Sequence, residues 1–145
     1  GVPGERLVLE ITESALLRRA EALDRVLRRL EVLGVQIALD DFGTGYSSLA
    51  LLRHLPIHEL KIDRSFVQGM ADQRDDREIV EAVIGLGRAL GLRLVAEGVE
   101  TEALQQCLRE RGQDLLVQGF LRGRPMPAEA CGRWLASAAM LECTP

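Results

Sequence analysis

The sequence predicts an α/β fold around a parallel sheet, and three observations carry that reading. Short apolar runs rich in Leu, Ile and Val alternate with longer amphipathic stretches five times over. Gly34, Gly91 and Gly112 end three of those stretches, where a helix needs a residue that accepts left-handed geometry. Each apolar run also leads into polar side chains: Glu10 with Glu13, Asp40 with Asp41, Lys61 with Asp63, Glu97 with Glu100, and Gln118. Alternating strand and helix calls for right-handed crossovers between parallel strands, which puts all five polar ends on one side of the sheet. A βα barrel and an open doubly wound sheet both build their sites there, and the pattern alone fits either.

In chain order, the first strand is expected at residues 7–11 (LVLEI). Leu16, Leu23, Leu27 and Leu30, with Ala20 between, then keep the spacing of one helical face. Arg18, Arg19, Glu21, Asp24, Arg25, Arg28 and Arg29 fill the other face, a solvated surface rather than a binding patch. Gly34 stops this helix, and residues 35–39 form the second strand. Residues 48–55 read as a short helix stopped by Pro56. The third strand, Glu59–Ile62, carries Lys61, and residues 69–76 are expected as a polar, acidic loop. Residues 77–90 are helical, with Ile79, Val83, Leu86 and Leu90 on one face. Arg93–Ala96 is the fourth strand, and Thr101 caps a helix that reaches Arg111. Residues 115–117 make a short fifth strand. Arg124-Pro125-Met126-Pro127 then breaks the chain before a last helix, 128 to about 140, expected to pack Cys131, Trp134, Leu135 and Ala138.

Length and composition fit one domain, residues 1–145, with 47% apolar residues available for a core. The net charge of −4 and interspersed acids and bases leave no electrostatic footprint for duplex nucleic acid or a membrane surface. No apolar run approaches the roughly 18 residues that span a bilayer. Cys107, Cys131 and Cys143 are odd in number and form no CxxC pair, so they read as reduced thiols of a cytoplasmic protein. The chain opens Gly-Val-Pro-Gly without an initiator methionine and looks cut from something longer.

The segment QIALDDFGTGYSSL, 36–49, concentrates the chemistry. An apolar run ends in Asp40 and Asp41 and passes at once into Phe42-Gly43-Thr44-Gly45-Tyr46-Ser47-Ser48, whose glycines permit a tight loop. Neighbouring side chains at a strand end diverge, so the two acids are expected to reach different centres, such as two hard divalent cations. His54 and His58 have metal-like spacing, but Pro56 between them removes a shared helical face and both read as surface histidines. A DFG triplet without an HRD-like loop before it is no kinase signature.

LVLEITES, ALDDFGTGYSSL, LKIDRSF, GLRLVAEGVET and VQGFLRGRPMP, in this order and over essentially the whole chain, resemble the EAL domain family of cyclic-di-GMP phosphodiesterases. The resemblance implies a partial TIM-like (β/α) barrel, about five βα units with the N-terminal strands missing. It implies hydrolysis of cyclic-di-GMP to linear pGpG using two Mg2+ or Mn2+ ions, and a homodimer through the barrel in the parent protein. Glu10, Asp40, Asp41 and Glu97 resemble the metal ligands, with Asp40 touching both ions. Lys61 matches the lysine that positions the attacking water, so Lys61, Asp40 and Glu97 are the expected catalytic groups. Glu13 resembles the residue steadying the loop that holds Gly43, Thr44, Gly45, Tyr46 and Ser47, and Glu100 is the second acid of the EGVE stretch. Gln118 matches the glutamine of the last strand and, with Phe120 and Pro125, is expected to meet substrate.

Two departures from the family stand out. The EAL glutamate and the asparagine of the following strand belong to strands preceding Leu7, so the chain is expected to be inactive alone. The alternative is a degenerate or truncated module that acts as a cyclic-di-GMP receptor or a dimerisation platform. Between Gly112 and Gln118 the chain also has one residue more than the family usually does, which could turn Gln118 off the site unless a bulge absorbs it.

Overall fold

The computed structural model describes residues 1–18, 20–45, 49–112 and 114–141, with their side chains except at 17–22, 49–51 and 138–141. Arg19, Tyr46, Ser47, Ser48, Gln113 and Cys143 lie outside the described residues, as do the side chains of Arg18, Ala20, Glu21 and Ala138. Five strands form one sheet: β1 (Val8–Thr12), β2 (Gln36–Phe42), β3 (Glu59–Ile62), β4 (Arg93–Ala96) and β5 (Leu116–Val117). They lie in the order β1-β2-β3-β4-β5, each parallel to the next. A doubly wound sheet reverses its strand order at a switch point, and this one does not. β1 and β5 do not pair, so the sheet is a sector of a barrel rather than a closed one.

The outer face of the sheet, with Ile37, Leu39, Leu60, Ile62, Leu94 and Ala96, is buried under the helices. The helices are α1 (Glu13–Arg18), α2 (Ala20–Val32), α3 (Leu49–His54), α4 (Arg64–Gly69), α5 (Arg74–Leu90), α6 (Glu102–Arg109) and α7 (Ala128–Leu141). Leu16 and Leu27 are fully buried and Leu23 and Leu30 pack against the same core, as their spacing requires. Gly34 closes α2: its φ is 81°, its N–H donates to Glu31 O and the Val35 N–H to Leu30 O. Gly91 repeats the arrangement after α5, with Leu92 N–H donating to Gly87 O. The buried face of α5 is centred on Val80, Val83, Ile84 and Gly87, with Ile79, Leu86 and Leu90 flanking it. Thr101 caps α6, its hydroxyl accepting from the Leu104 N–H at 3.2 Å.

Several expectations are corrected. Residues 69–76 are not one loop: α4 ends at Gly69, and Asp75 and Asp76 sit in the first turn of α5. Acids belong there because the exposed N–H groups of a helix start favour negative charge. β2 runs on to Phe42, so both aspartates lie inside the strand rather than past it. His58 is half-buried rather than superficial, and its Nδ1 accepts the Ile37 N–H at 3.2 Å. Trp134 and Leu135 on α7 are exposed rather than packed. No described helix is long and apolar enough to cross a membrane.

Candidate metal centre

On a regular strand Asp40 and Asp41 would face apart, since successive side chains alternate. The structure instead places a bulge there. Leu39 pairs with Leu60 but Phe42 pairs with Ile62, so β2 uses one more residue than β3 over the same stretch. Asp41 absorbs the extra residue at φ 55°, in the left-handed region that Asp tolerates better than most. The carboxylates therefore converge rather than diverge: one oxygen each from Asp40, Asp41 and Glu97 lies within 4.8 Å of the others.

Lys61 projects from β3 into the same space. It is almost completely buried, and its Nζ stands 2.6 Å from Glu97, 3.0 Å from Glu10 and 3.1 Å from Asp40. Three strands besides its own thus supply it with acids, and β3 is an interior strand with all four residues buried. Burial pulls the Lys61 ammonium down, but bonds to Glu97, Glu10 and Asp40 outweigh it and leave the group above its ordinary value.

The acids outnumber the base, and the excess is felt. Burial, then repulsion from Asp40 and Asp63, raises Asp41. Burial raises Glu97 against the opposing pull of Lys61, with Asp40 and Asp41 adding to the rise. Asp40 Oδ1 is buried and has no well-directed hydrogen bond, although Lys61 is within ion-pair distance. A concentration of hard oxygen donors with an unsatisfied buried oxygen fits a divalent cation.

Asp63 joins the cluster without having been given a role from the sequence. Burial acts to raise its carboxyl, but hydrogen bonds from Ser65 and from Asp41 hold it below its ordinary value. It also caps α4, accepting the Ser65 N–H at 2.9 Å. The signal was present: Asp63 follows directly on the strand that carries Lys61, and Asp before Arg-Ser-Phe is a helix-start pattern.

Glu13 is 1% exposed and accepts N–H bonds from Gly43 at 3.0 Å and Gly45 at 3.2 Å. A Cβ on Gly45 would lie 2.9 Å from its carboxylate, which is why a glycine stands there. Thr44 closes the turn, donating its hydroxyl to Asp41 O at 2.9 Å.

The remaining expected residues stand farther out. Glu100 is exposed and its contact is Gln68, at 3.4 Å. β5 pairs Leu116 with Val95, and Val95 pairs with Lys61, so alternation puts Gln118 on the face that bears Lys61. Gln118 lines a cleft of about 910 Å³ along β5 with Val95, Gln105, Leu116 and Trp134; no acid of the cluster lines it. Phe120 is exposed beneath the Arg124 guanidinium, 4.3 Å from its ring centre, and Pro125 is exposed beside that arginine.

A sector of parallel βα barrel that gathers acids from successive strand ends around a buried lysine defines a barrel protein with an acidic, cation-seeking centre. Residues 1–125 match the EAL domain, and the chain belongs to that family. It is 55% identical over 133 residues to the bifunctional diguanylate cyclase/cyclic di-GMP phosphodiesterase MucR of Pseudomonas aeruginosa, covering 92% of this chain and 19% of MucR. The solved PaMucR phosphodiesterase in complex with c-di-GMP superposes with a TM-score of 0.85 at 52% identity, over 90% of this chain and 52% of that one. Klebsiella pneumoniae BlrP1, solved with manganese and cyclic-di-GMP, gives 0.79 at 35% identity, over 86% of this chain and 32% of that one. The chain thus spans about half of the PaMucR structure and under a fifth of full MucR.

Proposed function

We propose that this chain supplies part of the site of a metal-dependent cyclic-di-GMP phosphodiesterase that releases linear pGpG. The observation that carries the reading is the convergence of Asp40, Asp41 and Glu97 beside a buried lysine, in a chain this close to MucR. Glu10, Asp40, Asp41 and Glu97 would hold the cations, Mg2+ or Mn2+. When bound, such ions neutralise the phosphodiester and lower the pKa of a water.

The chain's own groups do the rest. Lys61, fixed by three carboxylates and protonated at every physiological pH, orients the attacking water and offsets charge on the phosphate. Glu13 holds the Gly43–Gly45 backbone, and through it the end of β2. Gln118, Phe120 and Pro125 would meet the nucleotide, and a homodimer through the barrel is part of the same proposal.

Alone, residues 1–145 are proposed to be inactive and prone to associate. Both outer strands present free edges, and Val8, Leu9 and Leu116 on them are 47%, 43% and 50% exposed. The test expresses residues 1–145, reads the oligomeric state by light scattering, and assays pGpG release with Mn2+. A stable monomer with turnover refutes the inactivity. A chain that binds cyclic-di-GMP tightly without cleaving it, even inside a longer parent, supports the receptor alternative instead.

A further inference from the structure

We propose that α4 is the positioning element for both carboxylate-bearing segments of the centre, acting through Phe66 on one side and through Arg64 and Gln68 on the other. The proposal rests on the metal-dependent reading above.

The helix is short but firmly seated. Asp63 caps its start, and Val67 within it and Met70 directly after it are fully buried in the core. Besides packing on α5, it also meets two loops. A Cβ on Gly43 would lie 3.0 Å from Phe66 Cε2, so the Phe66 ring rests on the main chain two residues beyond Asp41. A Cβ on Gly98 would lie 2.6 Å from Arg64 Cβ, so the residue after Glu97 packs directly on the first turn of α4. Gly98 sits at φ 68°, and its lack of a side chain serves both the turn and that close approach. Gln68 Nε2 donates to Gly98 O at 3.5 Å and to Glu100 Oε1 at 3.4 Å.

The spacing of Asp41 from Glu97 is therefore set by more than the sheet. Asp41 lies near the end of β2 with Gly43 just beyond it, Glu97 follows the end of β4 two strands away, and α4 follows the strand between them. Each segment leans on the same rigid body, which also carries Asp63 against Asp41. Repulsion among the clustered carboxylates of Asp40, Asp41 and Glu97 would otherwise push these segments apart in the absence of metal, and a seated helix resists that.

The experiment uses residues 1–145 with Phe66→Ala, Phe66→Leu and Gln68→Ala. Amide exchange of residues 41–45 and 97–100 is followed without metal, and Mn2+ affinity is measured by calorimetry. Phe66→Ala should speed exchange at 41–45, and Gln68→Ala at 97–100, while the centres of β2 and β3 stay protected. Each should weaken Mn2+ binding by about tenfold, the usual effect of losing a group that orients ligands. Phe66→Leu, which keeps an apolar contact with Gly43, should recover most of both losses. Gln68 is exposed, so its substitution keeps the test open if Phe66→Ala does not fold. Unchanged exchange in both segments, or a rise spread evenly over the sheet, overturns the proposal. If local exchange responds as described but the unsubstituted chain binds no Mn2+, the metal reading fails while the positioning role stands.

Discussion

Replacing Lys61 by Met, similar in length but uncharged, isolates the electrostatics of the centre. The ammonium is 4% exposed and touches Glu97 and Asp40, themselves 16% and 21% exposed, and Glu10, which is 50% exposed. Glu10 can re-solvate, so its share is discounted to the exposed-pair range of about 0–1 kcal/mol. Glu97 and Asp40 would be left buried beside one another without a counter-charge, for which a loss of about 3 kcal/mol is reasonable. At about 3 °C per kcal/mol for a chain of this size, the metal-free melting temperature should fall by about 10 °C. Excess Mn2+ should then stabilise the variant more than the parent, because cation binding relieves repulsion that Lys61 no longer offsets. Differential scanning calorimetry with and without Mn2+ reads both effects. A melting temperature within a degree or so of the parent, with the same Mn2+ response, would refute the idea that the lysine neutralises this cluster.

Three further outcomes follow from the same geometry. Asp40→Asn, tested in an active longer protein, should lower hydrolysis of cyclic-di-GMP by at least about a hundredfold with the circular dichroism spectrum retained, since shape is kept and charge is lost; near-normal turnover refutes its role. Glu13→Ala should cost about 1–3 kcal/mol by stranding the Gly43 and Gly45 N–H groups, and should speed amide exchange at 42–45; unchanged exchange there counts against it. Asp41 and Glu97 bind protons more tightly in the fold, so the stability they contribute is complete below their ordinary values of 3.8 and 4.5 and is lost as pH rises through their higher folded values. The metal-free melting temperature should accordingly decline as pH rises above 4.5 towards neutrality, less steeply in Glu97→Gln and not at all with saturating Mn2+; a decline untouched by either change refutes the assignment. Lys61 contributes nothing to that slope, since its stabilisation is lost only above its ordinary 10.5.

What the sequence determined by itself is local. The leucine spacing around Leu16 and Leu27, the Gly34 and Gly91 stops and the Thr101 cap depend on contacts within a turn or two, and each was legible. So was the alternation that puts Glu10, Asp40, Lys61 and Glu97 at one side of a parallel sheet. α4 was missed because six residues make fewer than two turns and leave no periodicity to read. The bulge could not be read either: whether Asp40 and Asp41 diverge or converge depends on how β2 pairs with β3, a relation between segments some twenty residues apart. The sequence marked Lys61 as a candidate catalytic group, but only the packing of three other strands shows that Glu10, Asp40 and Glu97 all close on its ammonium. Composition likewise promised that Trp134 and Leu135 would be covered, yet apolarity states only a preference for burial, and what lies opposite a face is decided by the tertiary structure.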